Sequence, residues 1–110
     1  MAFHEFGIMQ ERPKGIYDKY EPEKYSNLVA VDMEIIDKVL TKTIVIPTYS
    51  HSTKTQFYGL NETGITLIPP DSAAKMADLF EKTQINELIK VTKLLKLAAE
   101  ESKYVIHFGI

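Results

Sequence analysis

Cysteine is absent from this chain of 110 residues. Without a thiol, the protein has no disulfide framework, no cysteine nucleophile and no thiolate metal site. The absence is typical of a cytosolic protein, and the first residues lack the basic start and apolar core of a signal peptide. We therefore expect a cytoplasmic location.

Arginine is also scarce. Arg12 is the single arginine and the formal net charge is −2, so we expect neither nucleic acid nor an anionic membrane as a partner. No apolar run approaches the roughly 20 residues of a membrane-spanning helix. Any anion site would have to rely on lysine side chains or backbone N–H groups.

Apolar residues, in contrast, are plentiful. They make up 45% of the chain, which is enough for a hydrophobic core, and the length is that of one ordinary domain. The sequence therefore predicts a single globular core.

The C-terminal third of the chain predicts a long helix followed by a strand. Between residues 84 and 102, apolar side chains recur at helical spacing over about half of the helix circumference. They are Ile85, Leu88, Ile89, Val91, Leu94, Leu95, Ala98 and Ala99. Residues 104–110 then change to a strand pattern. So wide an apolar arc indicates a helix that packs on a sheet and on a second neighbour.

Residues 28–31 favour a short strand that leads into a helix. Asp32 is a good N-cap, and Glu34 in the first turn favours the helix dipole. The alternative is a helix that starts nearer Ser26 and includes the apolar run, since a run this short does not distinguish the two.

The middle of the chain has a β pattern. Residues 43–46 are rich in β-branched side chains and predict a strand ended by Pro47. Residues 56–60 and 65–68 predict two more strands, with a turn at residues 61–64. We expect these three strands to form an antiparallel meander.

A further helix should begin at Asp71 or Ser72 and run to about Lys82. Strands and helices thus occur in blocks, which is typical of an α+β domain. The predicted fold is a small, mostly antiparallel sheet of about four to five strands, with about three helices packed on one face. The closing strand should enter the sheet, because it is too apolar to stand alone in water.

The first 27 residues differ from the rest in composition. They combine aromatic residues with proline, glycine and charged residues, which argues against a long helix or a central strand. We therefore divide the chain into an extended aromatic-rich arm, residues 1–27, and a single α+β domain, residues 28–110. The arm either wraps its own domain or reaches a partner subunit, with its aromatic side chains as anchors.

One loop offers candidate catalytic residues. His51 lies between two serines, and Ser50, His51 and Asp71 could in principle form a nucleophilic triad. No local catalytic signature supports this arrangement. Adjacent serine and histidine on a short loop also rarely point at each other, so a polar loop is the preferred interpretation.

Metal and anion sites have weaker support. His4, Glu5, His51 and His107 could ligate a divalent ion, but no pair among them has the usual ligand spacing. We expect His107 to be a sheet residue that faces solvent or is hydrogen-bonded at the surface, and we expect no metal and no cofactor. Lysines on the long helix share their neighbourhood with acidic residues, which indicates an ordinary solvated face. They are Lys90, Lys93 and Lys96, joined by Lys103.

Leu94 and Leu97 suggest a covered surface. Leu97 falls on the polar side of the predicted helix, and Leu94 lies at its edge. Together with Tyr17, Tyr20 and Tyr25 of the arm, they form the candidate binding surface. Closed two-fold dimers are the commonest homo-oligomers, so the sequence predicts a homodimer, with a further protein partner as an additional expectation.

Two functions of different class fit these features. The preferred one is a small non-enzymatic binding or regulatory module, including an immunity-type protein. The alternative is a small hydrolase or isomerase that uses His51 with neighbouring serine, tyrosine or acidic groups. A concave pocket with His51 and a converging carboxylate would favour the enzyme, and a flat aromatic surface would favour the binding module.

Overall fold

The computed structural model describes residues 2–110, which form one six-stranded antiparallel sheet with helices. The strands in chain order are β1 (Phe3–Ile8), β2 (Ser26–Asp32), β3 (Pro47–Ser50), β4 (Gln56–Tyr58), β5 (Ile65–Ile68) and β6 (Val105–Phe108). Their order across the sheet is β2-β1-β6-β5-β3-β4. The two terminal segments of the chain thus pair at the centre, and β2 and β4 are the edges.

Three α-helices occur among the described residues. They are α1 (Met33–Asp37), α2 (Pro70–Thr83) and α3 (Ile89–Glu100). There are also short 3-10 helices at Pro22–Lys24, Leu40–Val45 and Asn86–Leu88. The predicted α+β class is confirmed, with a strand count slightly above the expected four to five. No helix in this part of the chain is long and apolar enough to cross a membrane.

The larger core lies between the helices and one face of the sheet. Alternate strand residues point to this face, since successive side chains of a strand alternate between faces. Helix residues such as Phe80 and Leu95, both without exposed surface, pack on them. From the strands the core receives Phe6, Ile8, Val31, Ile68 and Val105. The wide apolar arc of α3 therefore contacts both α2 and the sheet, as its pattern predicts.

The second face of the sheet carries a smaller core. It consists of Met9, Ile65, Leu67, Ile106 and Phe108, with Tyr17, Tyr25, Tyr49 and Tyr104 packed against it. The residues between β1 and β2, numbers 9–25, cross this face, and we call them the 9–25 connection. Because β5 and β6 are covered on both faces, all eight of their residues are buried.

The N-terminal segment corrects one expectation. Phe3–Ile8 is a central strand, hydrogen-bonded between β2 and β6, and not part of an extended arm. The alternation His4, Phe6, Ile8 places three buried side chains on the helix side. The first proline, Pro13, comes only after the strand has ended, and the strand accommodates Gly7.

The β-branched run at residues 43–46 is not a strand. Leu40–Val45 forms a 3-10 turn, and Pro47 begins β3 instead of ending a strand. Thr43 holds this turn, because its buried hydroxyl donates to the Leu40 carbonyl at 2.7 Å and accepts from the Leu60 N–H at 3.3 Å. Ile44 and Val45 are consequently 60% and 76% exposed. Tertiary hydrogen bonds thus override a strong strand propensity.

The meander expectation is also wrong. β3 lies between β4 and β5 and pairs antiparallel with both, so β4 and β5 are not neighbours. The turn at residues 61–64 therefore joins two strands that do not pair.

Two helix starts can be compared with their predicted caps. The Asp32 carboxylate accepts from the Glu34 N–H at 2.8 Å, which confirms the predicted N-cap of α1. In α2, Pro69 is the N-cap and Pro70 the first helical residue, so the cap lies two or three residues before the predicted Asp71 or Ser72. Proline suits this position because its missing N–H has no partner at a helix start.

Candidate functional site

His51 lies in the loop that follows β3 and has a left-handed backbone, with φ 62°. Its Nδ1 lies 2.7 Å from the Tyr17 carbonyl oxygen, so Nδ1 carries the proton and donates. In the neutral ring, Nε2 then accepts, and the Ile65 N–H points to it at 3.4 Å. Both ring nitrogens are therefore engaged with main-chain groups, and the imidazole holds the 9–25 connection against the sheet.

Two clefts flank His51. The larger, about 740 Å³, lies between Gly15–Ile16 and residues 50–55, and no acidic side chain lines it. The smaller, about 210 Å³, includes Asp18 and Tyr20. No hydrogen bond joins Asp18 to His51 within residues 2–110. A concave site with His51 exists, but no carboxylate is hydrogen-bonded to the imidazole.

The structure does not assemble the Ser50, His51 and Asp71 triad. The Ser50 hydroxyl accepts from the Asn61 amide at 3.2 Å, not from His51. Asp71 is exposed in the first turn of α2, and the next residue, Ser72, donates to the Pro47 carbonyl. Pro47 and Ser50 are the two ends of β3, about 10 Å apart at the usual strand rise. Asp71 therefore lies at the wrong end of the strand.

The three tyrosines predicted as a binding surface pack on their own chain. Tyr17 and Tyr25 contact the second-face core. Tyr20 meets Phe108 edge-on, with ring centroids 5.2 Å apart, and its hydroxyl donates to the Glu5 carboxylate. This hydrogen bond raises the pKa of Tyr20. The 9–25 connection thus wraps its own sheet, the first of the two predicted arrangements.

Leu94 and Leu97 are not a free surface. Leu94 is 3% exposed within the helix-side core, and Leu97 is half-buried and packs against that core. Helix α3 begins at Ile89, five residues later than the pattern suggested, and it is packed by α2 as well as by the sheet. The polar side of the helix itself stays open, because Lys90, Lys93 and Lys96 are exposed.

A buried hydrogen-bonded chain crosses the helix side of the sheet. The Nδ1 of His4 lies 2.7 Å from the Nε2 of His107, and the Nδ1 of His107 lies 3.0 Å from the Thr66 hydroxyl. None of the three residues has exposed surface. His107 therefore does not face solvent, contrary to the expectation from its sequence neighbours. The alternation His4, Phe6, Ile8 is the signal that could have placed His4 inside.

Thr66 links this chain to the turn at residues 61–64. Its hydroxyl oxygen accepts from the Asn61 backbone N–H at 2.8 Å. The two hydrogens of the Asn61 side-chain amide go to the Ile65 carbonyl at 2.9 Å and the Ser50 hydroxyl at 3.2 Å. At the other end of the chain, His4 Nε2 is buried, and no atom of residues 2–110 forms a hydrogen bond with it.

Burial keeps both rings neutral. It lowers the pKa of His107 well below the ordinary value of 6.5, and the neighbouring His4 lowers it further. Burial also lowers the pKa of His4, although Asp37 and Glu62 oppose this effect. The two rings come together, but His51 is bonded elsewhere, and no group of three or more potential ligands suited to a metal ion occurs in the described residues.

The outer edge of β2 is the feature that the sequence did not reveal. The Met33 N–H donates to the Ala2 carbonyl at 3.0 Å, so Ala2 and Met33 form a hydrogen-bonded pair at the end of the ladder between β1 and β2. Hydrogen-bonded and non-hydrogen-bonded pairs alternate in an antiparallel ladder. Val29 and Val31 therefore bond to β1, whereas Leu28 and Ala30 direct their N–H and C=O groups away from the sheet.

Exposed apolar side chains accompany this edge. Leu28 is 41% and Phe3 46% exposed, and Ala30 is exposed beside them on the second face. We call Phe3, Leu28 and Ala30, together with the open side of β2, the β2 edge. The opposite edge strand, β4, has only three residues. The sequence signal for the β2 edge is an apolar run without lysine or proline, the residues that usually protect edges.

Comparisons of the chain with protein-family models, with curated proteins and with solved structures give no match.

Proposed function

We propose that the protein is a non-enzymatic binding module that accepts an extended strand of another polypeptide at the β2 edge. The observation that carries this proposal is a seven-residue edge strand with outward N–H and C=O groups and no strand on its outer side among the described residues. Such an edge is a ready template for strand addition.

The side chains support the same function. In strand addition, main-chain hydrogen bonds supply affinity and alternate side chains supply specificity. Leu28 and Ala30 project to the second face beside Phe3, so an added strand could lay apolar side chains against them. The 9–25 connection reaches Glu5, the partner of Ala30 on β1, through the Tyr20 hydroxyl, but Phe3, Leu28 and Ala30 themselves are exposed.

The surroundings of His51 do not favour the alternative function. The alternative hydrolase would need His51 as a base, but its two nitrogens are held by Tyr17 and Ile65. We also propose a cytoplasmic location, which the absence of cysteine supports.

Proline at Ala30 tests the proposal. It removes an N–H that points to solvent, so the ladder with β1 is kept and strand addition is blocked. Tyr58→Pro is the matched control, because Tyr58 lies on the β4 edge, is exposed, and forms the non-bonded pair with Pro47. The tagged protein and both variants are purified from cells, and bound chains are identified.

Three results together would support strand addition at this edge. A bound chain is lost with Ala30→Pro, is kept with Tyr58→Pro, and slows the hydrogen exchange of the Leu28 and Ala30 amides. A chain that binds equally well to Ala30→Pro would overturn the proposal, and so would a hydrolytic activity of the wild type that disappears in His51→Ala.

A further inference from the structure

We infer that the strand added at the β2 edge belongs to a second copy of this chain, which joins two sheets into one of twelve strands. The inference rests on the proposed strand addition and names its partner. A two-fold dimer of this kind uses the same strand twice, so the edge must be complementary to itself.

The backbone of β2 meets this condition. The alternation of the ladder directs the backbone N–H and C=O groups of Leu28, Ala30 and Asp32 away from β1. With a two-fold axis beside Ala30, each Ala30 faces Ala30 of the other copy in a hydrogen-bonded pair. Leu28 of each copy then faces Asp32 of the other. Two identical strands also have the same length and twist.

The charges permit the same pairing. Asp32 is the only charged residue of β2, and it faces a leucine instead of its own copy. Glu5 lies beside Ala30 on β1, so the two Glu5 residues would be separated by three inter-strand spacings. That distance is about 14 Å, which exceeds the screening length of about 8 Å at physiological salt. No pair of like charges faces across the seam.

The bend at the start of β2 limits the paired segment. Asn27 has a left-handed backbone with φ 57°, and the ladder with β1 shifts register between Phe6 and Ile8. The regular register covers residues 29–32, and Leu28 lies between them and the bend. Because β4 has only three residues, the opposite edge offers a shorter ladder.

A single cysteine at Ala30 tests the geometry directly. The natural chain has no cysteine, so a disulfide can form only between copies. Facing residues of a hydrogen-bonded antiparallel pair have Cα atoms about 5.5 Å apart, within the about 4.4–6.8 Å that a disulfide spans. We expect mild oxidation to convert Ala30→Cys to a disulfide-linked dimer, and Tyr58→Cys on the β4 edge to form no disulfide between copies.

Charge at Leu28 tests the register. The purified wild type should have twice the 12.5 kDa mass of one chain by light scattering at tens of micromolar. Leu28→Glu places a carboxylate opposite Asp32 and should shift the protein to monomer, because directly opposed like charges destabilise a strand pair. Leu28→Lys places an ammonium group there and should keep the dimer. Circular dichroism checks that each variant is folded.

The possible failures are distinct. A monomeric wild type whose Ala30→Cys variant does not cross-link would overturn self-pairing. The strand-addition proposal would survive that result if a different bound chain were still lost with Ala30→Pro. A dimer that is equally stable with Leu28→Glu and Leu28→Lys would place the two-fold axis elsewhere and would also overturn the inference.

Discussion

The Nδ1 atom of His4 lies 2.7 Å from the Nε2 atom of His107, and the two rings stack with centroids 5.0 Å apart. Strands β1 and β6, from the two ends of the chain, bring these rings together beneath the helices. Neither ring has exposed surface. The fold therefore depends on both imidazoles being neutral, because one proton more would place a charge in the interior.

This arrangement predicts a loss of stability in mild acid. The pKa values of His4 and His107 are lowered in the folded protein from the ordinary 6.5, so the unfolded chain binds protons more readily. Stability is then fully present above pH 6.5 and is lost as the pH falls from there through the lower folded-state pKa values. Urea unfolding at pH 8, 6.5 and 5 should show a falling midpoint.

The double variant His4→Leu/His107→Leu serves as the control for this effect. It removes both titrating rings, so the fall in midpoint between pH 8 and pH 5 should become smaller. An equally steep fall in the double variant would assign the acid sensitivity to other groups.

Thr66→Val should destabilise the protein although valine has nearly the same shape. The change leaves the Asn61 N–H and His107 Nδ1 without their shared hydroxyl. A buried polar group without its partner costs about 1–3 kcal/mol, and two groups are affected. The free energy of unfolding from urea titration measures the loss. Thr63→Val, at an exposed position of the turn before β5, should change the free energy of unfolding by less than about 0.5 kcal/mol.

Strong local patterns are the part of this fold that the sequence predicts well. The apolar arc of α3, the strand β6 and the Asp32 cap all follow from short-range spacing, and the structure contains each of them. The α+β class follows from their order along the chain.

Long-range contacts explain what the sequence could not predict. The turn at Leu40–Val45 depends on hydrogen bonds between Thr43 and Leu60, which are 17 residues apart. Strand β1 depends on pairing with β6, from the far end of the chain. No window of neighbouring residues contains such pairing information. Local signals for a buried His4 and for an unprotected edge exist, but the contact between His4 and His107 and the position of β2 at the edge depend on long-range pairing.

Leu95→Ala should remove about 2–5 kcal/mol of stability, as for other large-to-small changes in a core. Leu95 has no exposed surface and lies in the helix-side core. Leu97→Ala is the matched control on the same helix, because Leu97 is only half-buried and should cost less. Equal losses from the two variants in urea unfolding would contradict the packing of α3 described above.

The role of His51 leads to the last prediction. Its Nδ1–H binds the Tyr17 carbonyl, and its main-chain carbonyl accepts from the Tyr17 N–H at 2.7 Å. Replacing the imidazole removes the first of these two bonds and keeps the second. We expect His51→Ala to loosen the 9–25 connection, at a cost of about 0.5–1.5 kcal/mol for a typical hydrogen bond.

Two measurements separate this anchoring role from catalysis. Hydrogen exchange of the Tyr17 amide should become faster in His51→Ala, while the amides at the centre of β6 keep their protection. A broad hydrolase screen should give the same result for the variant and the wild type, since both ring nitrogens already bind main-chain groups. Robust wild-type hydrolysis that is lost in His51→Ala, with Tyr17 exchange unchanged, would reverse the assignment and make His51 a catalytic base.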